Sequence, residues 1–297
     1  RQMCIRDSST RNTLTRIHQK SADLRHVVQT ALERNRKKYD LQSKQLKGTE
    51  KRDKYKVYGE LINTYGYNLE PGSKELTALN YYTNEEITIP LDPTQTPGEN
   101  AQRYFAKYNK QKRTFEALTE LIQETADDIQ YLESISNALD IALSEADLAQ
   151  IKEELMQSGY IRRKHTKKKV KLTSKPMHYI SSDGYDMYVG KNNLQNEELT
   201  FSFANGNDWW FHAKGAPGSH VIVKSGGDEL PDRTFEEAGR LAAYYSKNRG
   251  ADKVEIDYIQ KKHVKKPNGA KPGFVVYYTN YSLVIDSDIS NIKNVQD

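Results

Sequence analysis

The segment Asp208–Lys214 (Asp-Trp-Trp-Phe-His-Ala-Lys) carries the residue types in this chain that are best suited to recognition chemistry. Aromatic faces stack on unpaired bases, and a lysine ammonium group holds the phosphate backbone. In a strand, Trp210 and His212 share one face because successive side chains alternate, and Trp209 and Phe211 share the other. At least one of these faces belongs to a hydrophobic core, and the sequence does not decide which.

A catalytic site is not indicated by the residues that follow this segment. The loop Gly215–Gly218 contains a proline without a backbone donor, so it is a poor phosphate cradle and favours a tight strand connection. Ser219 and His220 are adjacent, and adjacent strand side chains point to opposite faces, so they do not form a nucleophile–base pair. The sequence predicts a binding module rather than an enzyme.

A metal site is not indicated either. His178, His212, His220 and His263 lack the paired helical spacing of a zinc enzyme, and one cysteine, Cys4, excludes an intramolecular disulfide and a cysteine-based zinc cage. His212 and His220 are expected to face each other across a hairpin, where a structural or RNA-contacting role is favoured over metal ligation. We therefore expect no metal and no cofactor.

Two basic runs are the strongest candidates for phosphate contact. They cover Arg162–Lys171 and Lys261–Lys271, and residues 160–297 hold 22 Lys and Arg against 16 Asp and Glu, whereas residues 1–159 hold 23 against 24. A polyanionic partner is expected to meet the second half, although an ordinary solvated surface is the alternative. The predicted RNA contacts are Arg162, Arg163, Lys164, Lys167, Lys168, Lys169, Trp210, His212, Lys214, Ser219, His220, Lys261, Lys262, Lys265, Lys266 and Lys271.

A long helical hairpin is predicted to precede the basic half. Hydrophobic residues make up 36% of the chain, which fits an extended solvated element better than one compact globule. Residues 9–48 form a periodic first helix, and residues 99–143 keep a heptad pattern typical of a coiled coil. We expect an antiparallel coiled-coil hairpin with a small α+β insertion, residues 49–98, at its tip. A parallel homodimer remains open, because polar core positions such as Gln111 and Thr125 do not decide between them.

The remaining segments complete an α+β fold class. Residues 1–8 do not join the helical pattern and are interpreted as an extension that is not native to the domain. Residues 144–175 form a short helix capped by Ser144 and then the basic linker. Residues 176–297 are expected to form an α/β domain with a mainly antiparallel sheet. The predicted strands are 80–82, 86–89, 177–181, 185–189, 209–213, 220–224, 254–260, 273–279 and 281–285, and the helices of the last domain are 193–203 and 234–248.

The chain also lacks the sequence features of a membrane protein. No stretch approaches the ~20 apolar residues of a membrane span, and residues 1–8 lack the apolar core of a signal peptide. We expect no membrane insertion and a cytoplasmic location.

The run Asp208–Val221 resembles the signature of the RNA-binding domain, NFACT-R, of the NFACT family. Residues 232–246 and 262–273 match the same domain, and residues 80–84 and 100–105 resemble the middle region and second coiled-coil helix of bacterial members. The resemblance covers nearly the whole chain except Arg1–Ser8. It points to the C-terminal half of the RqcH type, also described as fibronectin-binding protein A of the FbpA/PavA type.

This resemblance implies a role in ribosome-associated quality control. Full-length members bind a large ribosomal subunit obstructed by peptidyl-tRNA, bring in alanyl-tRNA and support alanine tailing of the stalled chain. Their N-terminal NFACT-N domain carries much of the tRNA recognition and is expected to be absent, so the chain alone is not expected to sustain tailing. The alternative is a fibronectin-binding adhesin at the cell surface without a signal peptide or wall anchor. Dimerisation through the coiled coil stays undecided.

Overall fold

The computed structural model of this chain describes residues 2–162 and 173–295. The chain divides into two compact units, the first formed by Arg1–Glu33 with Ile129–Asp297 and the second by Arg34–Asp128. Two long helices, α1 (Gln2–Gly48) and α3 (Pro97–Ile141), contribute to both units. Helix α1 begins earlier than the predicted start at residue 9.

Within the first unit, α1 and α3 run antiparallel. Lys20 lies 2.8 Å from Glu145, whereas Arg25, further along α1, lies 2.6 Å from Asp140, earlier in the chain. Beneath these ion pairs a shared hydrophobic cluster holds Leu24, Val28 and Leu32 together with Leu132, Ile135 and Leu139. The predicted antiparallel hairpin is confirmed, because the stripe of α1 is covered by α3 of the same chain.

The predicted heptad positions of α3 are mostly buried or partly buried. The buried ones are Ala101, Tyr104, Leu118, Thr125, Leu132 and Leu139. Leu143, the last residue of the predicted range 99–143, is 72% exposed because α3 ends at Ile141. From Tyr131 onward the buried stripe widens to include Ile135 and Ala138, since helix α4 (Glu145–Gln157) packs against the same cluster.

The second unit contains the small α+β insertion. Helix α2 (Arg52–Tyr65) packs on an antiparallel hairpin of β1 (Glu75–Asn80) and β2 (Glu85–Pro90). The predicted strand 80–82 is wrong, because Tyr81 and Tyr82 lie in the turn. The Asn80 side chain accepts a hydrogen bond from the Tyr82 backbone N–H at 3.0 Å and closes that turn.

Helix α4 begins with the predicted cap. The Ser144 Oγ accepts from the Asp147 N–H, and the Asp147 carboxylate accepts from the Ser144 N–H, both at 3.1 Å. This reciprocal pair satisfies backbone donors that the first helical turn leaves unpaired. The Asp147 carboxylate also forms a 3.1 Å ion pair with the Lys191 ammonium group, and this ion pair connects α4 to the sheet domain that follows.

A seven-stranded sheet dominates the first unit. It consists of β3 (Met177–Ile180), β4 (Asp186–Val189), β5 (Trp209–Ala213), β6 (Val221–Val223), β7 (Val254–Gln260), β8 (Tyr281–Ile285) and β9 (Lys293–Asn294), in the order β8-β7-β5-β6-β4-β3-β9. Every neighbouring pair is antiparallel, which confirms the predicted sheet type. Helices α5 (Asn193–Glu198, continuing as a π-helical turn) and α6 (Asp232–Tyr244) complete the domain.

The strand predicted at 273–279 is wrong. The strand that pairs with the outer edge of β7 is β8, predicted at 281–285, with Val254 opposite Ile285. The segment instead makes one isolated bridge, in which Lys265 and Val276 exchange backbone hydrogen bonds of 2.9 and 2.8 Å. The short strand β9 was not predicted, because two residues leave no periodic signal.

Both faces of β5 pack against hydrophobic clusters, with Trp209 and His212 partly buried and the other three residues buried, which answers the question that the sequence left open. Phe211 and Ala213 belong to the cluster covered by α6 residues such as Leu241. Trp210, on the opposite face, packs with Ile222 and other residues of a second cluster.

Among the described helices, none has the apolar length needed to cross a bilayer.

Candidate nucleic-acid interface

A cavity of about 270 Å³ lies beside β5 in the first unit. Four packed rings line it, from Trp210, His212, His220 and Tyr277, and Phe274 adds a fifth ring. The remaining walls are the loop 215–218, the segment 272–275, Gln130, Glu133 and Ser134 of α3, and Asn193 and Asn196 of α5.

The β5–β6 hairpin places three of these rings. Trp210 is opposite Ile222 in the ladder, and His220 immediately precedes β6. Gly215 has a φ of 64°, a left-handed conformation that favours glycine in the connection. Gly218 approaches Ser246 so closely that an added Cβ would lie 3.0 Å from the serine Cβ. The two glycines therefore form this wall of the cavity, as the predicted tight strand connection.

The rings pack as one group. Trp210 and His212 are stacked, with centroids 5.7 Å apart and planes at 14°. His220 meets His212 edge-on at 5.6 Å, and Tyr277 lies 5.1 Å from Trp210. The prediction that His212 and His220 face each other across the hairpin is confirmed.

Hydrogen bonds fix the orientation of these rings. The His220 Nδ1 lies 2.8 Å from the Thr200 hydroxyl, and its backbone N–H donates to the Asn196 side chain at 3.1 Å. The Tyr277 hydroxyl donates to Asp257 at 2.9 Å, and Asp257 is the ladder partner of His212. Because these contacts hold the rings in place, the cavity is formed before any ligand binds.

Both imidazoles are neutral at pH 7. Burial lowers the pKa of His212 to about 4, although the nearby Asp257 carboxylate acts in the opposite direction. Burial, and then the neighbouring His212, hold the pKa of His220 well below its ordinary value. The four rings consequently offer uncharged aromatic faces.

The low pKa of His212 predicts a pH-dependent stability. In the unfolded chain the His212 imidazole is protonated near pH 6.5, whereas in the folded chain it is protonated only near pH 4. The free energy of unfolding therefore falls as the pH drops through this window. Between about pH 7 and about pH 5 this residue should reduce the free energy of unfolding by about 2 kcal/mol. Urea denaturation of His212→Asn should show a smaller loss than the parent chain.

The control for this experiment is His26→Gln, because His26 lies on the exposed surface of α1. It should keep the parental pH dependence. Glu154, whose pKa burial raises to about 7, titrates in the same range in all three proteins, so the difference reports on His212 together with His220, whose pKa His212 helps to lower. An unchanged loss in His212→Asn would show that this imidazole does not resist protonation.

The run Lys261–Lys271 emerges from β7 beside the cavity. Two backbone hydrogen bonds hold its first turn. The Lys261 N–H donates to the Asp208 carbonyl at 2.8 Å, and the Lys262 N–H donates to the Gly206 carbonyl at 3.0 Å. Lys262 and Lys265 are exposed and Lys261 is half-buried, and none of the three has an ion-pair partner within the part of the chain that the structure describes. These ammonium groups are available to a polyanion.

Two other lysines of this run have partners. Lys266 forms a 2.7 Å ion pair with Glu197, and the Lys271 ammonium group lies 4.9 Å from the centre of the Tyr131 ring. Both side chains stay partly accessible, so phosphate contact requires exchange of an existing interaction.

The other predicted contacts are placed differently. Trp210, Ser219 and His220 are buried, so they form core or cavity wall rather than open surface. Lys214 is exposed but pairs with Glu255 at 2.5 Å. Arg162 is exposed, whereas Arg163, Lys164, Lys167, Lys168 and Lys169 lie outside the described residues.

Sequence reasoning missed part of the cavity. Tyr277 was assigned to a strand, and Gln130, Glu133, Asn193 and Asn196 were treated as ordinary helix positions. The signal available in the sequence was the pair of amides in α5, Asn193 and Asn196, which fall on one helix face at i, i+3 spacing. In the structure both are buried. Among the described residues, no three His, Cys, Asp or Glu side chains are grouped as metal ligands.

Family profiles match almost the whole chain. Residues 9–174 match the NFACT N-terminal and middle domains, and residues 175–278 match the NFACT protein RNA binding domain. The boundary between the profiles lies just before β3, where the sheet begins.

Individual proteins give the same result. The chain is 41% identical over 282 residues to the Rqc2 homolog RqcH of Streptococcus pneumoniae D39, covering 95% of this chain and 51% of that protein. It is 39% identical over 284 residues to the RqcH of Bacillus subtilis 168, covering 93% and 49%. The chain therefore spans about half the length of these relatives.

A solved structure shares the fold. It is the C-terminal part of the fibronectin/fibrinogen-binding protein from Streptococcus suis, which is 37% identical with a TM-score of 0.74. The similarity covers 94% of this chain and 99% of that one.

Proposed function

Because the chain belongs to the NFACT family, we propose that it is the ribosome- and tRNA-binding part of a bacterial ribosome-associated quality-control factor. The observation that carries this proposal is the match of residues 175–278 to an RNA-binding domain, which contains both the rings of the aromatic cavity and the lysine run 261–271. In the full-length factor, this part would position the large subunit and tRNA while the stalled chain receives alanine.

The charge arrangement supports phosphate contact by the second half. Lys261 and Lys262 lie in a single 3-10 turn whose backbone is anchored to Asp208 and Gly206, and Lys265 follows it with its backbone N–H on the Val276 carbonyl. A phosphate contact of this type neutralises charge and releases counterions, so the affinity should fall steeply with salt. Such contacts position a protein on RNA, while base contacts specify the sequence.

A binding role also fits the chemistry of the cavity. The His220 Nδ1 is already paired with the Thr200 hydroxyl, and the adjacent Ser219 is buried. We therefore assign the chain to recognition, with tailing dependent on the complete factor.

The test is co-sedimentation with purified large subunits. Large subunits that carry peptidyl-tRNA should retain the chain at low salt more strongly than empty subunits, and the retention should decline as salt rises. Retention that is equal for the two subunit preparations would contradict the quality-control assignment. Absence of salt-sensitive binding to either would contradict ribosome binding by this chain.

A second candidate function is fibronectin binding, because the solved Streptococcus suis structure carries that description. Surface plasmon resonance on immobilised fibronectin should then show saturable binding. A variant with Lys261, Lys262, Lys265 and Lys266 replaced by glutamate separates a specific site from charge attraction. Binding that disappears in the variant and at moderate salt would be charge attraction alone.

A further inference from the structure

We propose that the cavity beside β5 holds one unpaired nucleobase of the bound RNA, flipped out of its stack, with a preference for bases that carry an exocyclic amine. This assignment rests on the proposed RNA-binding function and names what the aromatic part of the site recognises. The lysine run then serves the flanking phosphates rather than the base.

The form of the cavity fits a flat ring. Its volume of about 270 Å³ is at the small end for ligand pockets, and its walls include the faces or edges of Trp210, His212, His220 and Tyr277. It opens to solvent beside Gln130 and Gly215, which are exposed. RNA-binding proteins commonly receive single-stranded bases by stacking them on aromatic side chains.

The charge of the lining selects a base over a phosphate. Among the described residues that line the cavity there is no lysine or arginine, and Glu133 contributes a carboxylate. The two imidazoles are neutral because burial lowers the pKa of each. The lining side chains therefore offer a phosphate no cation, whereas a neutral base needs none.

The polar groups of the lining favour a base with donors on its edge. A carboxylate accepts hydrogen bonds at about four lone-pair positions, so Glu133 can take a base N–H in addition to contacts within the protein. Gln130, one helical turn earlier on α3, adds an amide at the opening. Adenine, cytosine and guanine present an exocyclic amine, and uracil does not.

The basic run continues directly into the cavity wall. Lys271 precedes the wall residue Pro272, and the paired hydrogen bonds between Lys265 and Val276 fold the run back against that wall. Cations are therefore placed at the border of a cavity whose interior is uncharged apart from one carboxylate. A single strand with its phosphates on the lysines could insert one base.

The experiment compares two RNAs by fluorescence anisotropy. One carries a single unpaired adenosine in a bulge, and the other carries an abasic site at that position. The parent chain should bind the abasic RNA about 5- to 100-fold more weakly, the range expected for one stacked base. Uridine in the bulge should bind more weakly than adenosine. The salt dependence should be equal for all three RNAs, because their phosphates are the same.

The variant is His212→Ala, which removes a ring from the cavity. The matched control is His178→Ala, because His178 is a partly buried histidine of the same sheet that stacks on Tyr188 at 4.5 Å outside the cavity lining. His212→Ala should lose the difference between adenosine and abasic RNA, and His178→Ala should keep it.

Each outcome has one meaning. Equal binding of adenosine and abasic RNA by the parent chain, or a difference that persists in folded His212→Ala, overturns the base pocket and leaves phosphate binding intact. Salt-insensitive or undetectable binding of every RNA overturns the proposed function and the pocket together. If His212→Ala does not fold, 2-aminopurine in the bulge decides, since its fluorescence should be quenched by stacking on the parent chain and unchanged without a pocket.

Discussion

Replacing Lys261, Lys262, Lys265 and Lys266 with glutamine should weaken binding to single-stranded RNA at least about tenfold near physiological salt and reduce the slope of log affinity against log salt by up to about 3. Three of these ammonium groups have no ion-pair partner in the described structure, and the fourth, that of Lys266, forms an ion pair with Glu197. Each phosphate contact on a single strand contributes about 0.7 to that slope. Anisotropy titrations over a salt series measure both quantities.

A matched control carries the same loss of charge elsewhere. Lys37, Lys38, Lys44 and Lys47 are exposed on α1, within the unit Arg34–Asp128. Their replacement by glutamine changes the net charge equally but leaves the lysine run beside the cavity intact. If the two quadruple variants lose affinity to the same degree, RNA responds to total charge and the run 261–271 is not its site.

Asp208→Ala should destabilise the fold by about 3–5 kcal/mol, the usual cost of removing one partner of a buried ion pair. Asp208 is 2% exposed and its carboxylate lies 2.6 Å from the Lys224 ammonium group. It also accepts from the Asn205 N–H at 2.7 Å and the Ser225 N–H at 3.1 Å. The alanine variant leaves a part-buried cation and two backbone donors without this acceptor, so a lower urea midpoint is expected.

Lys214→Ala is the control at the other end of the same segment. Its ion pair with Glu255 is about half exposed on both sides, and exposed pairs contribute about 0–1 kcal/mol. The urea midpoint should therefore barely move. Equal destabilisation by Asp208→Ala and Lys214→Ala would mean that burial does not distinguish the two ion pairs. Under the proposed function, Lys214→Ala should also leave RNA affinity nearly unchanged.

The sequence predicted the elements whose periodicity is undisturbed. The bounds of β5 and β7 are those predicted, because apolar runs there end at glycine-rich or polar turns. The α1–α3 hairpin followed from the seven-residue spacing, and α4 followed from the Ser144 cap. These signals are local, so each element is specified by residues within it.

The cavity could not be predicted, because it joins residues that are far apart along the chain. Gln130 and Trp210 meet only after α3 docks on the sheet domain within the first unit. Tyr277 reaches the cavity because β8 occupies the ladder position beside β7 and leaves the segment 273–279 outside the sheet. Partner choice between strands and the pairing of Lys214 with Glu255 depend on tertiary packing, which single-sequence periodicity does not contain.

The segment Asp208–Lys214 therefore has three physical roles. Asp208 anchors Lys224 and Ser225 just after β6, Phe211 fills the core under α6, and Trp210 and His212 line the cavity. The aromatic side chains of this segment are buried or partly buried, and the accessible cations come from the neighbouring run.

Photo-crosslinking on the ribosome tests the central proposal most directly. The chain is bound to purified large subunits carrying peptidyl-tRNA, irradiated, and digested, and the crosslinked peptides and nucleotides are identified by mass spectrometry. We expect RNA crosslinks to residues 261–277 and to the cavity wall 212–218, reduced in the Lys261, Lys262, Lys265 and Lys266 glutamine variant. Crosslinks that avoid both segments, or that are unchanged in the variant, would contradict the assignment of this surface to RNA.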